Sequence, residues 1–472
     1  MNPAVEPIAV VGPEEMATPL QDQGVTCIEV DWRPPRALDA LKAFRMTPGL
    51  EAHRVAANQQ AIDRVVRSRC RVIDVRSAGD VVPGLERGTL LHAGPPIDWM
   101  SASGPLQGAL IGAVMLEGWA LDRDGAARML ARGEIELAPC HERDAVGPMA
   151  GIISPSMPVM VVENVTFGNR SYSTLNEGLG KVLRYGANDD SVLAHLRWLC
   201  EAAAPLLGEA LRHAEGIDLT AIIAQALHMG DELHNRNKAA TSLFTRQIAG
   251  DVCQATETLG RDADEAAALF QYLAATDVFF LNLAMAACKA CMDAAAGIPG
   301  SSLVTAMARN GTEFGIWLSG LSRSWFTAPA PAVEGLFFPG YGPEDANPDL
   351  GDSAITETAG LGAFALAAAP AIVEFVGGSV DLGRRTTEEM AELTLARHPT
   401  YQIPALGFVG VPVGIDAALV CRTGIAPVLD TGIAHKKAGI GQIGAGIVRV
   451  PIEPFEQAFE ALAEMASAGT TG

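Results

Sequence analysis

The sequence predicts an α/β and α+β multidomain protein, with an N-terminal Rossmann-like α/β part, a helical insertion and a C-terminal α+β part. Three observations carry that prediction. Short β-branched runs alternate with helix-compatible segments over the first 100 residues. Proline almost vanishes over residues 190–297, where Ala, Leu, Met and Glu dominate. Glycine-punctuated, strand-like segments return after Ile298-Pro299-Gly300. Alternating strands and helices favour a parallel sheet covered by helices, and a chain of 472 residues is long enough for two to four domains with sizeable cores. The expected boundaries are 1–100 (α/β), 101–190 (an α+β segment packing with the C-terminal part), 191–297 (helical) and 298–472 (α+β).

In chain order, Ile8-Ala9-Val10-Val11 is a first strand ending at Gly12-Pro13. Residues 26–32 form a second, stopped by Arg33-Pro34-Pro35 because proline cannot continue a ladder. Residues 51–69 are helical and residues 70–75 a third strand. A Gly/Pro-rich stretch around His92 leads to a helix ending near Glu117. Residues 157–163 read as a strand, and 164–185 as a loop followed by a helix. The proline-poor block holds about four helices, its apolar positions recurring at helical spacing as in Leu193, Leu196 and Leu199. Further on, 386–397 is helical, while 407–412, 418–421 and 447–450 are strand-like. The small residues after Met465 read as a frayed tail. No internal repeat or low-complexity tract is visible.

Composition excludes several functions. With 34 Lys plus Arg against 55 Asp plus Glu, the net charge is −21, so a nucleic-acid partner is not expected, because phosphate neutralisation needs clustered cations. Apolar residues at 49% suffice to bury a core, which argues against disorder. The start lacks a basic and apolar signal segment, and no apolar run approaches the roughly 20 residues of a spanning helix, so no membrane association is expected. Eight cysteines without regular spacing suggest no disulfide framework. A cytoplasmic location is expected, and Cys288 and Cys291 read as packing residues on an Ala-rich helix.

Six polar clusters stand out. Residues 439–444 spell the dinucleotide fingerprint, but the β-branched Ile447-Val448-Arg449-Val450 follows, so the glycines open a strand where the fingerprint must open a helix. Two readings remain: a turn whose backbone N–H groups at Gly441, Gln442, Gly444 and Gly446 face an anion, or a structural turn. Just before it, Asp430, Thr431, His435 and Lys436 join a carboxylate, a hydroxyl, an imidazole and an ammonium group, chemistry suited to acyl transfer or to an ordinary charged loop. Arg309, Asn310, Thr312 and Glu313 surround a turn, and the Arg suits a carboxylate or phosphate. His228, Asp231, Glu232 and Asn235 share one face if the segment is helical, with His234 and Arg236 beside them; the run reads as a polar cleft lining, as a metal site whose spacing matches no zinc signature, or simply as Glu232 pairing with Arg236 at i,i+4. Asn169, Arg170, Asn176 and Glu177 lead into a presumed helix start, where N–H donors suit an anion. His92 and His141 sit by Gly/Pro turns and are candidates for catalysis or for loop structure. No GxSxG, P-loop or HExxH occurs. These residues call for no organic cofactor and leave a divalent metal open.

In order along the chain, Val30-Asp31-Trp32-Arg33-Pro34-Pro35, Leu91-His92-Ala93-Gly94-Pro95-Pro96-Ile97, Glu117-Gly118-Trp119-Ala120, Val146-Gly147-Pro148-Met149, Asp231-Glu232-Leu233-His234-Asn235-Arg236 and the stretch from Asp430 to Gly446 resemble the YlbE/YahG-like family, over nearly the whole length. The resemblance implies a subunit of a carbamoyltransferase that converts oxalurate and phosphate to oxamate and carbamoyl phosphate, or the reverse, in anaerobic allantoin breakdown. It implies an FdrA-like partner, which resembles acyl-CoA synthetases, and a further subunit; a homo-oligomer is also expected. Within these motifs His435 is the expected proton donor, with Lys436 and residues 441–446 on phosphate and Arg309 or Arg236 on the substrate carboxylate. Two alternatives are an acyl-CoA-ligase-associated or amide-processing subunit of other specificity, and a non-catalytic scaffold subunit.

Overall fold

A computed structural model describes residues 8–11, 16–30, 33–321, 323–375 and 377–469. The expected turn at Gly12-Pro13 and the end of the second strand, Asp31 and Trp32, lie outside them. The architecture is mixed α/β, built from several small sheets around a central helix, Phe279–Ala294. That helix is buried along nearly its whole length, including Asn282 and Lys289, and packs against strands Cys70–Ser77, Pro158–Asn164 and Arg170–Thr174 and helix Leu50–Arg67.

The first two strands, Ile8–Val11 and Cys27–Val30, pair in parallel. The third does not extend them. Cys70–Ser77 pairs antiparallel with Pro158–Asn164 and Ile217–Asp218, in a four-stranded sheet completed by Arg170–Thr174, so the three-stranded parallel arrangement expected from the alternation does not form. Residues 164–185 also differ from expectation: they hold the strand Arg170–Thr174 and a short 3₁₀ turn, Leu183–Tyr185, and no α-helix.

The helical block contains six α-helices, Asp190–Trp198, Ala204–His213, Leu219–His228, Lys238–Thr258, Ala263–Ala275 and Phe279–Ala294, two more than expected. Aspartates set several starts: Asp189, Asp218 and Asp262 each accept a backbone N–H from the first turn, satisfying donors that have no partner within the helix. Residues 229–237 form a loop between two of these helices, so the shared helical face of His228, Asp231, Glu232 and Asn235 does not exist. Gly230, at φ +92°, and Leu233, at φ +72°, occupy the left-handed region and turn the chain out of helical geometry.

Two further sheets meet near this loop: Phe326–Pro329, Glu313–Leu318, Val304–Asn310 and Leu350–Gly351 in one, and Glu334–Phe337, Gln442–Arg449 and Val428–Ala434 in the other. Residues 418–421, expected as strand, lie in helix Ala417–Thr423, which Asp416 caps and Gly424 ends. Helix Val380–Ala391 stops before Thr394, where strand Thr394–Ile403 pairs with Val409–Ile415. The C-terminal helix Glu453–Gly469 runs through the expected tail. Cys291 and Cys70 pack with their sulfurs 3.6 Å apart, both as free thiols. No single described helix is long and apolar enough to cross a membrane; one bent pair, Ala263–Ala275 with Phe279–Ala294, passes that test by composition, and its second helix is the central one described above.

N- and C-terminal segments are locked together by buried polar contacts. Arg54, on helix Leu50–Arg67, donates to Asp416 at 2.9 Å and to Ser302 at 2.8 Å, and Asn58 accepts from Ser301 and from the Ser302 backbone, each at 2.9 Å. Removing one partner of a buried ion pair leaves the other charge desolvated and unpaired, at a cost of about 3–5 kcal/mol. Arg54→Ala is therefore expected to lower the urea unfolding free energy by an amount of that order, whereas Arg384→Ala, which removes only solvated pairs, should leave it nearly unchanged.

Candidate active site

The loop at 229–237 is built by its own carboxylates. Glu232 accepts backbone N–H groups from His234 at 3.1 Å, from Arg236 at 2.9 and 3.1 Å, and from Asn235. Asp231 accepts the Ala240 N–H at 2.9 Å, at the start of helix Lys238–Thr258. Folded this way, the loop aims His234 at one buried carboxylate. The His234 Nδ1 lies 2.8 and 3.0 Å from the two Glu357 oxygens, and Glu357 also accepts the backbone N–H of Ala363 and of Asp430, each at 3.1 Å. Burial works to raise the Glu357 carboxyl, but His234 and these N–H groups together hold it below the ordinary range. With Nδ1 committed to a carboxylate, Nε2 is the ring nitrogen left for chemistry, an arrangement that fixes tautomer and orientation.

A second carboxylate pair stands beside the first. Asp430 accepts from the Asn235 amide at 2.5 Å, and its other oxygen is buried without a partner. Burial, with Glu232 and Glu357 nearby, pushes Asp430 well up; burial likewise pushes Glu232 up to about 7. With Glu232 and Glu357 both near it, the buried Asp430 carboxyl is favoured in its protonated form.

His234, Asn235, Arg236 and Lys238 line a cleft of about 320 Å³. Opposite them, Arg184 donates to the Gly178 carbonyl at 2.9 Å, with its guanidinium 5.1 Å above the Tyr185 ring. The Tyr185 hydroxyl donates to Gln442 at 3.1 Å. The cleft thus joins an oriented imidazole, two guanidinium groups, an ammonium group paired with the Asp277 carboxylate, and the side-chain amides of Asn235, Asn237 and Gln442. Its other wall is apolar, formed by Met149, Leu179, Val278, Leu281, Phe338 and Ile372.

Of the residues singled out in the sequence, His234, Asn235, Arg236 and Gln442 meet in this cleft. Asn176 and Glu177 line a small adjoining pocket with Arg184; burial pushes Glu177 up to about 7, while Asn176 donates to Asn282 at 2.7 Å. Arg309 lies fully buried behind the wall, donating to both Asp349 oxygens at 2.7 and 2.9 Å and to Thr431 at 3.0 Å. Asn310 braces its own turn, accepting from the Thr312 and Glu313 backbones. Asn169 donates to the Ala290 carbonyl and Arg170 faces Glu163 at 3.8 Å, away from the cleft.

His435 sits beside the cleft, not in its lining: its Nδ1 accepts the Lys437 N–H at 2.9 Å, and the Lys436 ammonium donates to the Glu344 carbonyl. Gly441, at φ +110°, presses against Gly180. Gly444 and Gly446 lie inside strand Gln442–Arg449, where a Cβ would collide with the Leu336 and Glu334 carbonyls; their environment is that of close strand packing. His92 is buried with Nδ1 2.8 Å from the Ala93 carbonyl, and burial lowers it to about 4. His141 is buried between Trp317 and Trp325 with neither ring nitrogen hydrogen-bonded. Among the described residues no group of three or more His, Cys, Asp or Glu is arranged to hold a metal ion.

Arg184 and Glu357 do not stand out in the sequence, and Lys238 ends the polar run that does. Glu357 belongs to no polar cluster and carries no local signal; Arg184-Tyr185, just after Gly178 and Gly180, is the kind of charged and aromatic pair at a turn that a wider search would include.

This mixed α/β chain thus orients a histidine by a buried carboxylate in a cleft that also holds guanidinium and amide groups. The comparisons sharpen this. The model of the family "Oxamate carbamoyltransferase subunit AllG" matches residues 135–353. Oxamate carbamoyltransferase subunit AllG of Escherichia coli (strain K12) is 51% identical over 416 residues, covering 88% of this chain and 98% of that protein. The uncharacterized protein YahG of the same strain is 47% identical over 453 residues, covering 95% of each. A crystal structure of a conserved protein of unknown function from Enterococcus faecalis V583 superimposes with a TM-score of 0.86 at 44% identity, covering 89% of this chain and 99% of that one. The chain belongs to the AllG/YahG family.

The carboxylate pair gives the molecule a measurable pH signature. The Glu232 carboxyl titrates near 7 when folded against an ordinary 4.5, so the folded state holds a proton that the unfolded state releases. Stability from this group is present below about 4.5 and is lost as pH rises toward 7 and beyond. In Glu232→Gln the amide oxygen can still accept loop N–H groups, and the titrating carboxyl is gone. The variant is expected to be more stable, relative to wild type, at pH 8 than at pH 5.5, as measured by urea unfolding at both.

Proposed function

We propose that the chain is a subunit of an oxamate carbamoyltransferase and that its cleft carries the reaction of a small ureido acid: oxalurate and phosphate to oxamate and carbamoyl phosphate, or the reverse. The observation that supports this most is the Glu357–His234 pair facing a cleft that also holds Arg184 and Arg236, in a chain 51% identical to a protein bearing that name.

In the forward direction a phosphate oxygen attacks the carbamoyl carbon, the carbon–nitrogen bond to the oxamate portion breaks, and that nitrogen takes up a proton. His234 Nε2 is the donor, with Glu357 stabilising the imidazolium that precedes transfer; in reverse the same nitrogen accepts the proton from oxamate as it attacks carbamoyl phosphate. Arg184 and Arg236 grip carboxylate and phosphate, since a guanidinium fork matches both. The Asn235 and Gln442 amides supply hydrogen bonds to the carbonyl oxygen as it gains negative charge. No covalent intermediate on the protein is required.

In this reading the chain acts in the cytoplasm beside the other subunits of the transferase, an FdrA-like chain among them, and as part of an oligomer. Turnover is measured on the complete complex, by carbamoyl phosphate formation from oxalurate. His234→Gln is expected to lower kcat by about 10²–10⁴-fold, the usual range for a lost general acid–base group, and Glu357→Gln to lower kcat with little change in KM. Arg184→Gln should raise KM for the anionic substrates. Near-normal turnover by His234→Gln would remove the proton-transfer role, and a comparable loss in His435→Ala would move that role to the neighbouring turn.

A further inference from the structure

The surroundings of the cleft are unlike what its proposed substrates require. Oxalurate, oxamate and carbamoyl phosphate carry no apolar group, yet one wall is apolar and continues outward onto the surface. Leu179, Leu336 and Ile440 are 55%, 52% and 38% exposed. Leu179 lines the cleft, Leu336 lies two residues before the lining Phe338, and Ile440 sits on the turn whose Gly441 presses against Gly180, next to Leu179. Leu336 belongs to Glu334–Phe337, the outer strand of its sheet, so one edge of that strand is open to further pairing. Leu179 and Ile440 lie on adjoining turns beside the cleft and Leu336 on the neighbouring edge strand, and exposed large apolar side chains grouped around one opening mark a binding surface.

Charge is distributed in the same pattern. The sequence has only six lysines against a net charge of −21, and four of them, Lys181, Lys238, Lys436 and Lys437, surround this opening. Lys238 lines the cleft, Lys181 follows Gly180, and the turn carrying Lys436 and Lys437 is tied to the cleft by the Gly439 N–H, which donates to the Tyr185 carbonyl at 2.8 Å. All four are exposed. Lys181 meets Asp189 and Lys238 meets Asp277, but such solvated pairs hold little energy and accept a second carboxylate readily.

We propose that a neighbouring subunit of the transferase covers the mouth of the cleft, laying an apolar segment flanked by carboxylates over Leu179, Leu336 and Ile440 and within reach of the lysines. The proposal rests on the carbamoyltransferase reading. The covering segment supplies the side of the site this chain leaves open and excludes water from the reacting carbamoyl group.

The test uses the complex obtained by co-expression with the other transferase subunits. Leu336→Asp/Ile440→Asp and Lys181→Glu/Lys437→Glu are compared with wild type by sedimentation velocity and native mass spectrometry, with melting of the isolated chain as a check of folding. Leu121→Asp, exposed at the far end of helix Gly104–Leu116, is the control. Both double variants are expected to melt like wild type and to weaken assembly at least tenfold, the lysine variant most strongly at low salt, while Leu121→Asp assembles normally. Unchanged assembly in both double variants, or equal loss in the control, overturns the proposal. So does a lysine variant that assembles normally but shows a raised KM for phosphate or oxalurate, since the lysines would then serve the small anion. The catalytic reading is judged separately by whether the wild-type complex converts oxalurate; assembly lost in the variants while the wild-type complex leaves oxalurate untouched would retain the covered mouth and discard the substrate.

Discussion

The site depends on the burial of one carboxylate. Glu357 has no access to solvent, so each of its lone pairs must be met from within the protein or the fold loses several kcal/mol. Its partners come from three distant stretches: His234 in the loop after the third helix of the helical block, Ala363 in the segment that follows Glu357, and the backbone of Asp430 in a C-terminal strand. Satisfying that single group therefore fixes the imidazole, the strand bearing Asp430 and the turn at Gly362 in one arrangement. A loop alone would leave His234 free to rotate; the carboxylate makes its geometry a property of the whole fold.

The same device recurs behind the cleft wall. Asp352 accepts N–H groups from Gly94 at 2.8 Å and Gly147 at 3.0 Å, drawing together the two Gly-Pro segments that stand out in the sequence, and Asp349 takes both arms of Arg309. Burial pushes Asp352 up to about 7, so this brace also stands near its titration point at neutral pH. Backbone N–H donors are the common currency here: they meet a carboxylate without adding a side chain, which explains why glycines cluster where these acids bind.

Much of the local structure was legible, because periodicity and punctuation are local. Helix Leu50–Arg67 and strands Cys70–Ser77 and Pro158–Asn164 fall within a few residues of the segments read from sequence. Sheet membership was not legible. Cys70–Ser77 looks the same whether it pairs with Cys27–Val30 or with Pro158–Asn164, and the choice is made by packing on the central helix. Residues 229–237 stood out by their polar density but not as a loop, since Gly230 is a weak breaker by itself and the positive φ of Leu233 has no sequence signature. In the site, His234, Asn235, Arg236 and Gln442 could be picked from motifs, whereas Glu357 could not: it is one acid between two threonines, and only its distance to His234 gives it meaning.

That distance also explains why the histidines differ. His92 and His141 are as buried as His234, but neither ring is hydrogen-bonded to a carboxylate: the His141 Nε2 stands 3.7 Å from Asp352, and burial together with Lys289 and Arg323 favours its neutral form, which suits packing between tryptophans better than proton exchange. His234 has both a carboxylate to stabilise its charged form and a position in the cleft wall. The arrangement concentrates acids, Asp231, Glu232, Glu357 and Asp430, beside the cleft in a chain already at −21. Burial and like-charge proximity favour the protonated form of Asp430, while Arg184, Arg236 and Lys238 bring cations to the cleft, Arg236 beside Asp231 and Lys238 beside Asp277. The local potential seen by a substrate is then set by which groups face the cleft and not by the composition of the chain, so an acidic protein can present a site suited to carboxylate and phosphate.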